Sequence, residues 1–173
     1  MERLSSETAF SGHAVDVSVG RFRRADGTEV EREVVEHPGS VAILAHDEEF
    51  VYLVRQAREA VGDDGLLEIP AGTLDVEGET ELECAQRELS EEADLRAESW
   101  RLLKTIYPSP GVLSEKVWIF AATGLSAAPG DPDEDEQIEV VRLPLGEIES
   151  ALTEIEDATT TVALLMLVAE QRA

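Results

Sequence analysis

The spacing of apolar and polar positions predicts strands along most of the chain and two helices at its C-terminal end. Alternation with a period of two predicts strands at 14–20 and 30–35, with Asp26 and Gly27 as a hairpin turn between them. Further strands are predicted at 41–45, 50–54, 102–107, 117–122 and 138–143, with a short extended segment at 66–69. Helical patterns occupy 145–152 and 160–171. This order predicts an α+β or α/β sandwich, with a mixed sheet between helices.

A third helix, predicted to start near Thr80, contains the candidate functional residues. Thr80 followed by Glu83 is a capping-box pattern. One face of this helix is predicted to pack on the core through Leu82, Ala85 and Leu89. The other face presents three carboxylates at positions i, i+3 and i+4, namely Glu88, Glu91 and Glu92.

Carboxylates this close repel one another unless a cation lies among them. Oxygen ligands favour Mg²⁺ or Mn²⁺ over zinc. Because the chain is acidic throughout, a solvated helix face is the alternative interpretation of these glutamates.

Charge and composition narrow the class of protein. The 173 residues carry 38 acidic and 14 basic side chains, a net charge of −24, and 43% are hydrophobic. This charge argues against nucleic acid or an anionic membrane as partner and suggests a halophilic protein whose self-repulsion is screened by salt. Apolar periodicity between Val15 and Val168 excludes disorder for most of the chain.

The single Cys84 is expected to be a small buried residue without a catalytic role. Neither a membrane-spanning run nor a signal-peptide pattern is present, so a cytoplasmic location is expected.

The segment around the acidic helix resembles the Nudix box, G-x5-E-x7-R-E-U-x-E-E-x-G-U, where U is aliphatic. The residues that match are Gly72, Glu79, Arg87, Glu88, Leu89, Glu91, Glu92 and Leu95. There are two departures. Six residues rather than five separate Gly72 from Glu79, and Asp94 replaces the last glycine. The insertion falls before the helix and is not expected to change its register. Asp94 is expected to adopt a left-handed conformation at a cost of roughly 1 kcal/mol relative to Gly.

Other segments resemble the ADP-ribose pyrophosphatase branch of that superfamily. They are the strand end at 54–58, the entry to the box at 67–72, the Pro-rich segment at 108–115, the acidic loop and strand at 134–140 and the final helix at 157–165. The resemblance covers nearly all of residues 29–170. It implies the Nudix α/β/α fold, with the box as a loop-helix-loop, and hydrolysis of ADP-ribose to AMP and ribose 5-phosphate.

The resemblance also implies roles for individual residues. Metal ligands would be the Ala71 carbonyl and the carboxylates of Glu88, Glu92, Glu136 and, directly or through water, Glu91. Glu134 would be the general base, with Glu91 the next candidate. Independently of the resemblance, Arg87 lies four residues before Glu91 on the helix and could orient it. Substrate contacts would come from Arg58, Arg32, Glu68, Pro110 and Gly111, with Arg58 binding phosphate and Arg32 reaching the site of a second subunit.

Two rival functions and one domain division complete these expectations. The substrate could instead be another nucleoside diphosphate sugar or a dinucleotide. In a different class, the chain could be a sensor that binds ADP-ribose without cleaving it. Residues 1–38 are predicted to be a small antiparallel β-layer that dimerises the protein, since an isolated hairpin is only marginally stable. Residues 39–173 are predicted to be the Nudix hydrolase domain.

Overall fold

The computed structural model describes residues 1–12, 15–130 and 138–172. The chain divides into two compact units. The N-terminal unit comprises Met1–Gly39 and Tyr107–Lys116, and the main unit comprises Ser40–Ile106 and Val117–Ala173. Among the described residues, no helix is both long and apolar enough to cross a membrane.

The N-terminal unit contains a three-stranded antiparallel sheet in the order β1-β2-β3, which confirms the predicted separate β-layer. The strands are β1 Glu2–Ser11, β2 Asp16–Arg23 and β3 Glu29–Glu36. Strand β1 was not predicted, because its side chains are nearly all exposed and give no apolar alternation. The predicted turn forms at Gly27, whose φ is 84°. The described part of this unit contains no fully buried apolar side chain.

The main unit is a mixed sheet with helices on both faces. The strands are β4 Ser40–His46, β5 Phe50–Arg58, β6 Asp63–Glu68, β7 Ala71–Thr73, β8 Leu95–Ile106, β9 Val117–Ala127 and β10 Glu139–Pro144. Their order is β10-β5-β4-β9-β8, with β6 on β5 and β7 on β4. Strands β4 and β9 are parallel, and the other pairs are antiparallel. The helices are α1 Glu81–Ala93, α2 Ile148–Ala151 and α3 Ala158–Gln171, with a 3₁₀ turn at Leu145–Glu147 before α2.

Strand β4 explains the layering, because it is buried on both sides. Val41, Ile43 and Ala45 pack in the same cluster as the buried face of α1. Ala42 and Leu44 pack in the opposite cluster, which contains residues of α2 and α3. A strand covered on both faces is apolar at every position rather than at alternate ones. The sandwich predicted from the sequence is therefore confirmed, with α1 on one face and α2 and α3 on the other.

Strand β8 is longer than predicted, since it begins at Leu95 rather than at residue 102. It is an edge strand that pairs only with β9 and is half exposed, so its first residues are mostly polar. Edge strands of this kind lack the apolar signal of central strands.

Candidate active site

Helix α1 forms as its capping residues predict. The Thr80 hydroxyl accepts from the Glu83 amide, and the Glu83 carboxylate accepts from the Thr80 amide, so both halves of the capping box are present. At the other end, Asp94 is left-handed, with φ 54° and ψ 33°. Its carboxylate accepts from the Gly130 amide at 3.2 Å, a contact that glycine at this position would lack.

The buried face of α1 differs from the prediction at one position. Ala85 and Leu89 are fully buried, as expected, but Leu82 is 37% exposed. Cys84 is buried instead, where its thiol lies 3.5 Å from the Thr73 carbonyl oxygen. Burial raises the pKa of the Cys84 thiol to about 12, so this cysteine stays protonated and unreactive at neutral pH.

The extra residue before Glu79 leaves the register of the helix unchanged. The loop closes with a turn in which the Glu79 amide donates to the Val76 carbonyl, and Gly78 has a φ of 85°. Glu79 still reaches Arg87 through two bonds of 3.0 and 3.1 Å from the guanidinium. The paired fork geometry fixes the orientation of the arginine.

Arg87 also holds two of the three carboxylates singled out in the sequence. Its Nη1 donates to Glu88 Oε1 at 2.7 Å and to Glu91 Oε2 at 2.8 Å. The bonds to Glu79, followed by those to Glu91 and the charge of Glu88, raise the pKa of Arg87 above its ordinary value. The permanent positive charge of Arg87 therefore lies among the carboxylates of Glu79, Glu88 and Glu91, where it reduces their mutual repulsion.

Glu92, the third carboxylate, is oriented from two strands. It is buried, and its Oε2 accepts from the Ala71 amide of β7 at 2.9 Å. Its Oε1 lies 3.5 Å from the side-chain nitrogen of Gln56 on β5, at the outer limit of a hydrogen bond. Backbone and side-chain donors from separate strands thus determine where this carboxylate points.

Strand β7 meets α1 at Gly72, where any larger residue would displace the Glu88 side chain. A Cβ built on Gly72 would lie 1.9 Å from both Cδ and Oε1 of Glu88. The Glu88 carboxyl group therefore packs directly on the β7 backbone next to Ala71.

The donor chemistry of this cluster suits a hard divalent cation, because it consists of glutamate carboxylates beside a backbone strand. In 1–12, 15–130 and 138–172, however, no three acidic, histidine or cysteine side chains converge on a common point that could hold a metal ion. Glu88 and Glu91 meet at Arg87, whereas Glu92 meets the Ala71 amide. A metal ligand set built from all three would need their carboxyl groups to lie closer together.

Arg58 and Glu68 form an ion pair beside Glu92. Arg58 Nη2 donates to Glu68 Oε2 at 2.6 Å, and Arg58 Nε lies 3.1 Å from both carboxylate oxygens. Gln56 Nε2 lies 3.3 Å from the same Glu68 Oε2. Gln56 was given no role from the sequence. The available signal was its spacing, because Gln56 and Arg58 are two apart on β5 and therefore share a face.

Three other predicted substrate residues lie in the N-terminal unit. Arg32, Pro110 and Gly111 line one cavity of about 420 Å³ together with Arg3 and Phe22. The guanidinium of Arg3 lies 5.6 Å from the Phe22 ring centre and also pairs with Glu36 at 2.6 Å. The Ser18 hydroxyl and Arg3 lower the pKa of Glu36. Three arginines and one aromatic ring thus line this cavity, together with Glu33 and Glu36.

Two predicted residues, Glu134 and Glu136, lie outside the described part of the chain. The segment that precedes them is tied to the end of α1. Ser90 donates its hydroxyl to the Ala128 carbonyl, and the Ala128 amide donates to the Asp94 carbonyl at 2.8 Å.

Comparisons with known proteins show the family and the fold to which the chain is similar. The NUDIX domain family matches residues 36–164. An ADP-ribose pyrophosphatase of Bacillus subtilis (strain 168) is 36% identical over 171 residues, which cover 95% of this chain and 90% of the relative. A GDP-mannose pyrophosphatase of Cronobacter sakazakii is 34% identical over 155 residues, covering 82% of this chain and 80% of the relative. A crystal structure titled as an ADP compounds hydrolase shares the fold, with a TM-score of 0.84 at 24% identity over 99% of this chain and 94% of that one.

Proposed function

We propose a function from the premise that this chain belongs to the Nudix family, as a pyrophosphohydrolase related to ADP-ribose pyrophosphatases. The proposed reaction is metal-dependent hydrolysis of the pyrophosphate bond of ADP-ribose, giving AMP and ribose 5-phosphate. The observation that carries this proposal is the intact acidic set of α1, with Glu88 packed on Gly72 and Glu92 bonded to Ala71.

Nudix hydrolases generally use divalent metal ions, and we propose Mg²⁺ or Mn²⁺ here. The residues that would hold the ion are Glu88, Glu91, Glu92, the Ala71 carbonyl and Glu136. A bound divalent cation supplies positive charge against the pyrophosphate and stabilises the charge that develops on its oxygens. This charge matters in a protein with a net charge of −24, which would otherwise repel the substrate.

The remaining roles follow from the chemistry of the side chains. We propose Glu134 as the general base that removes a proton from water, with Glu91 as the next candidate. Arg87 orients Glu91, which it already contacts at 2.8 Å. Arg58 binds phosphate, and Glu68 supports its orientation through their ion pair.

Arg32, Pro110 and Gly111 are proposed to contact the substrate from the cavity of the N-terminal unit. In the proposed homodimer, Arg32 acts on the site of the second subunit. The absence of a fully buried apolar side chain in the described part of that unit supports the dimer, because a sheet without a buried hydrophobic face is not stable by itself. Light scattering at high salt should report a dimer at micromolar concentration, and a monomer there would exclude it. Halophilic adaptation and a cytoplasmic location stay predictions.

Two alternatives differ in substrate or in class. The likeness to a GDP-mannose pyrophosphatase supports another nucleoside diphosphate sugar as substrate. The sensor, which would bind ADP-ribose without hydrolysis, is disfavoured because Arg87, Glu88, Glu91 and Glu92 are all present.

One experiment separates these possibilities. Purified protein is incubated with ADP-ribose, GDP-mannose or a dinucleoside polyphosphate, with Mg²⁺ or with EDTA, and the products are resolved by chromatography. ADP-ribose with Mg²⁺ should release AMP fastest, and Glu92→Gln should lose most of that activity while keeping its thermal midpoint. Full activity in EDTA, or in Glu92→Gln, would contradict the metal proposal. Binding of ADP-ribose without any product would favour the sensor.

A further inference from the structure

The amide of Gln56 is the feature that the roles above leave unused. Gln56 is 7% exposed, and its Nε2 lies between two carboxylates that are also buried. The nitrogen is 3.3 Å from Glu68 Oε2 and 3.5 Å from Glu92 Oε1. An amide nitrogen carries two hydrogens, so one group can donate to both acids.

The two carboxylates that Gln56 joins have different partners. Glu68 pairs with Arg58, the proposed phosphate ligand, and Glu92 is a proposed metal ligand. Gln56 and Arg58 share a face of β5, while Glu68 lies on β6 opposite Val54, two residues from Leu66, which pairs with Gln56. Glu92 comes from α1, 36 residues away in sequence. Gln56 is therefore the side chain at which three separate elements meet.

The residue type also fits this position. A carboxylate at residue 56 would add a third negative charge beside two buried ones, and an apolar side chain would leave both acids without this donor. A lysine would bring a positive charge that competes with Arg58 for Glu68. A neutral donor of this length joins the two acids without changing the charge of the site.

We infer that Gln56 is a positioning residue that couples the Arg58–Glu68 ion pair to Glu92, so that phosphate binding and metal binding share one orienting contact. This inference rests on the proposed metal-dependent hydrolysis. Groups that orient metal ligands affect affinity by about 10–100-fold when removed.

The test uses Gln56→Met, which keeps the length of the side chain and removes its donor. The matched control is Gln86→Met, the same change on the exposed side of α1. Mn²⁺ alone is titrated into each protein, and free Mn²⁺ is followed by electron paramagnetic resonance. The Michaelis constant for ADP-ribose, the Mg²⁺ concentration at half-maximal rate and the thermal midpoint are measured in parallel.

Gln56→Met should weaken Mn²⁺ binding about 10-fold or more, and it should raise both the Michaelis constant and the Mg²⁺ requirement. Gln86→Met should match the wild type in all of these. If Gln56→Met does not fold, Gln56→Asn, which keeps the amide but withdraws it by one methylene, gives the same comparison.

A lower thermal midpoint with unchanged Mn²⁺ affinity would show that Gln56 is only a packing residue and would overturn the inference. Wild-type protein that binds Mn²⁺ but releases no AMP contradicts the proposed substrate, while the Mn²⁺ comparison still decides the role of Gln56. Wild-type protein that binds no Mn²⁺ overturns both.

Discussion

Gly72→Ala is the substitution expected to lower catalytic activity far more than it lowers the stability of the fold. The new methyl group would lie 1.9 Å from Cδ and Oε1 of Glu88 and 2.5 Å from its Cγ. Non-bonded carbon atoms sit about 3.5–4.0 Å apart, so the Glu88 carboxyl must move by roughly 1.6 Å or more. The atoms in the way belong to the end of a flexible side chain, so the backbone can stay in place.

The two consequences differ in size. The displaced carboxylate loses its 2.7 Å bond to Arg87, which keeps its partners Glu79 and Glu91. Because the Arg87 side chain is 29% exposed, this loss should destabilise the fold by only about 1–2 kcal/mol. Mg²⁺ requires ligand oxygens at about 2.0–2.1 Å from the ion, so the same movement prevents Glu88 from binding an ion together with the other glutamates. A misplacement of about 1 Å near reacting groups can reduce a rate by about 100-fold.

The assay compares Gly72→Ala with Gly146→Ala, which adds the same methyl in the same unit where no atom lies within 4 Å. Mn²⁺ affinity, kcat with ADP-ribose and the thermal midpoint are measured for both. Gly72→Ala should lose about 100-fold in kcat and bind Mn²⁺ weakly, with a modest fall in midpoint. Gly146→Ala should resemble the wild type. A Gly72→Ala protein with wild-type kcat and Mn²⁺ affinity would refute the reasoning, because it would show that the Glu88 carboxyl position is unimportant.

Four further predictions concern other parts of the chain. The thermal midpoint should rise as KCl increases from about 0.1 M to molar levels, since the Debye length falls from roughly 10 to 3 Å; a flat or falling midpoint in a calorimetric series would argue against halophilic adaptation. Glu134→Gln should lower kcat by roughly 10²–10⁴-fold with little change in Mg²⁺ requirement, whereas Glu136→Gln should raise that requirement; wild-type kcat in the first variant would return the base to Glu91. Cys84 should resist a thiol reagent at pH 8 in the folded protein, because burial raises its pKa to about 12, and it should react on unfolding; rapid labelling of the native state would contradict its burial. Thr160→Val should destabilise the protein by about 1–3 kcal/mol in urea unfolding, since it leaves the buried Ile69 amide without its 2.8 Å acceptor; an unchanged unfolding midpoint would show that this hydrogen bond contributes little.

The sequence by itself determined the features that depend on local spacing. The capping box at Thr80, the left-handed Asp94 and the burial of Cys84 follow from residue type and helical period, and all three are present. The mixed sandwich and the separate antiparallel sheet also follow from local patterns, because buried strands and turns carry a short-range signal.

Only the tertiary structure decided how the carboxylates are used. Helical spacing placed Glu88, Glu91 and Glu92 on one face, but it carried no information on the groups opposite them. Glu92 is oriented by residues 21 and 36 positions away, and Glu88 is confined by the backbone of Gly72. The same limit explains why Gln56 was missed and why Leu82 was wrongly assigned to the core. Periodicity reports which side chains share a face of one element, whereas packing between elements decides what that face meets.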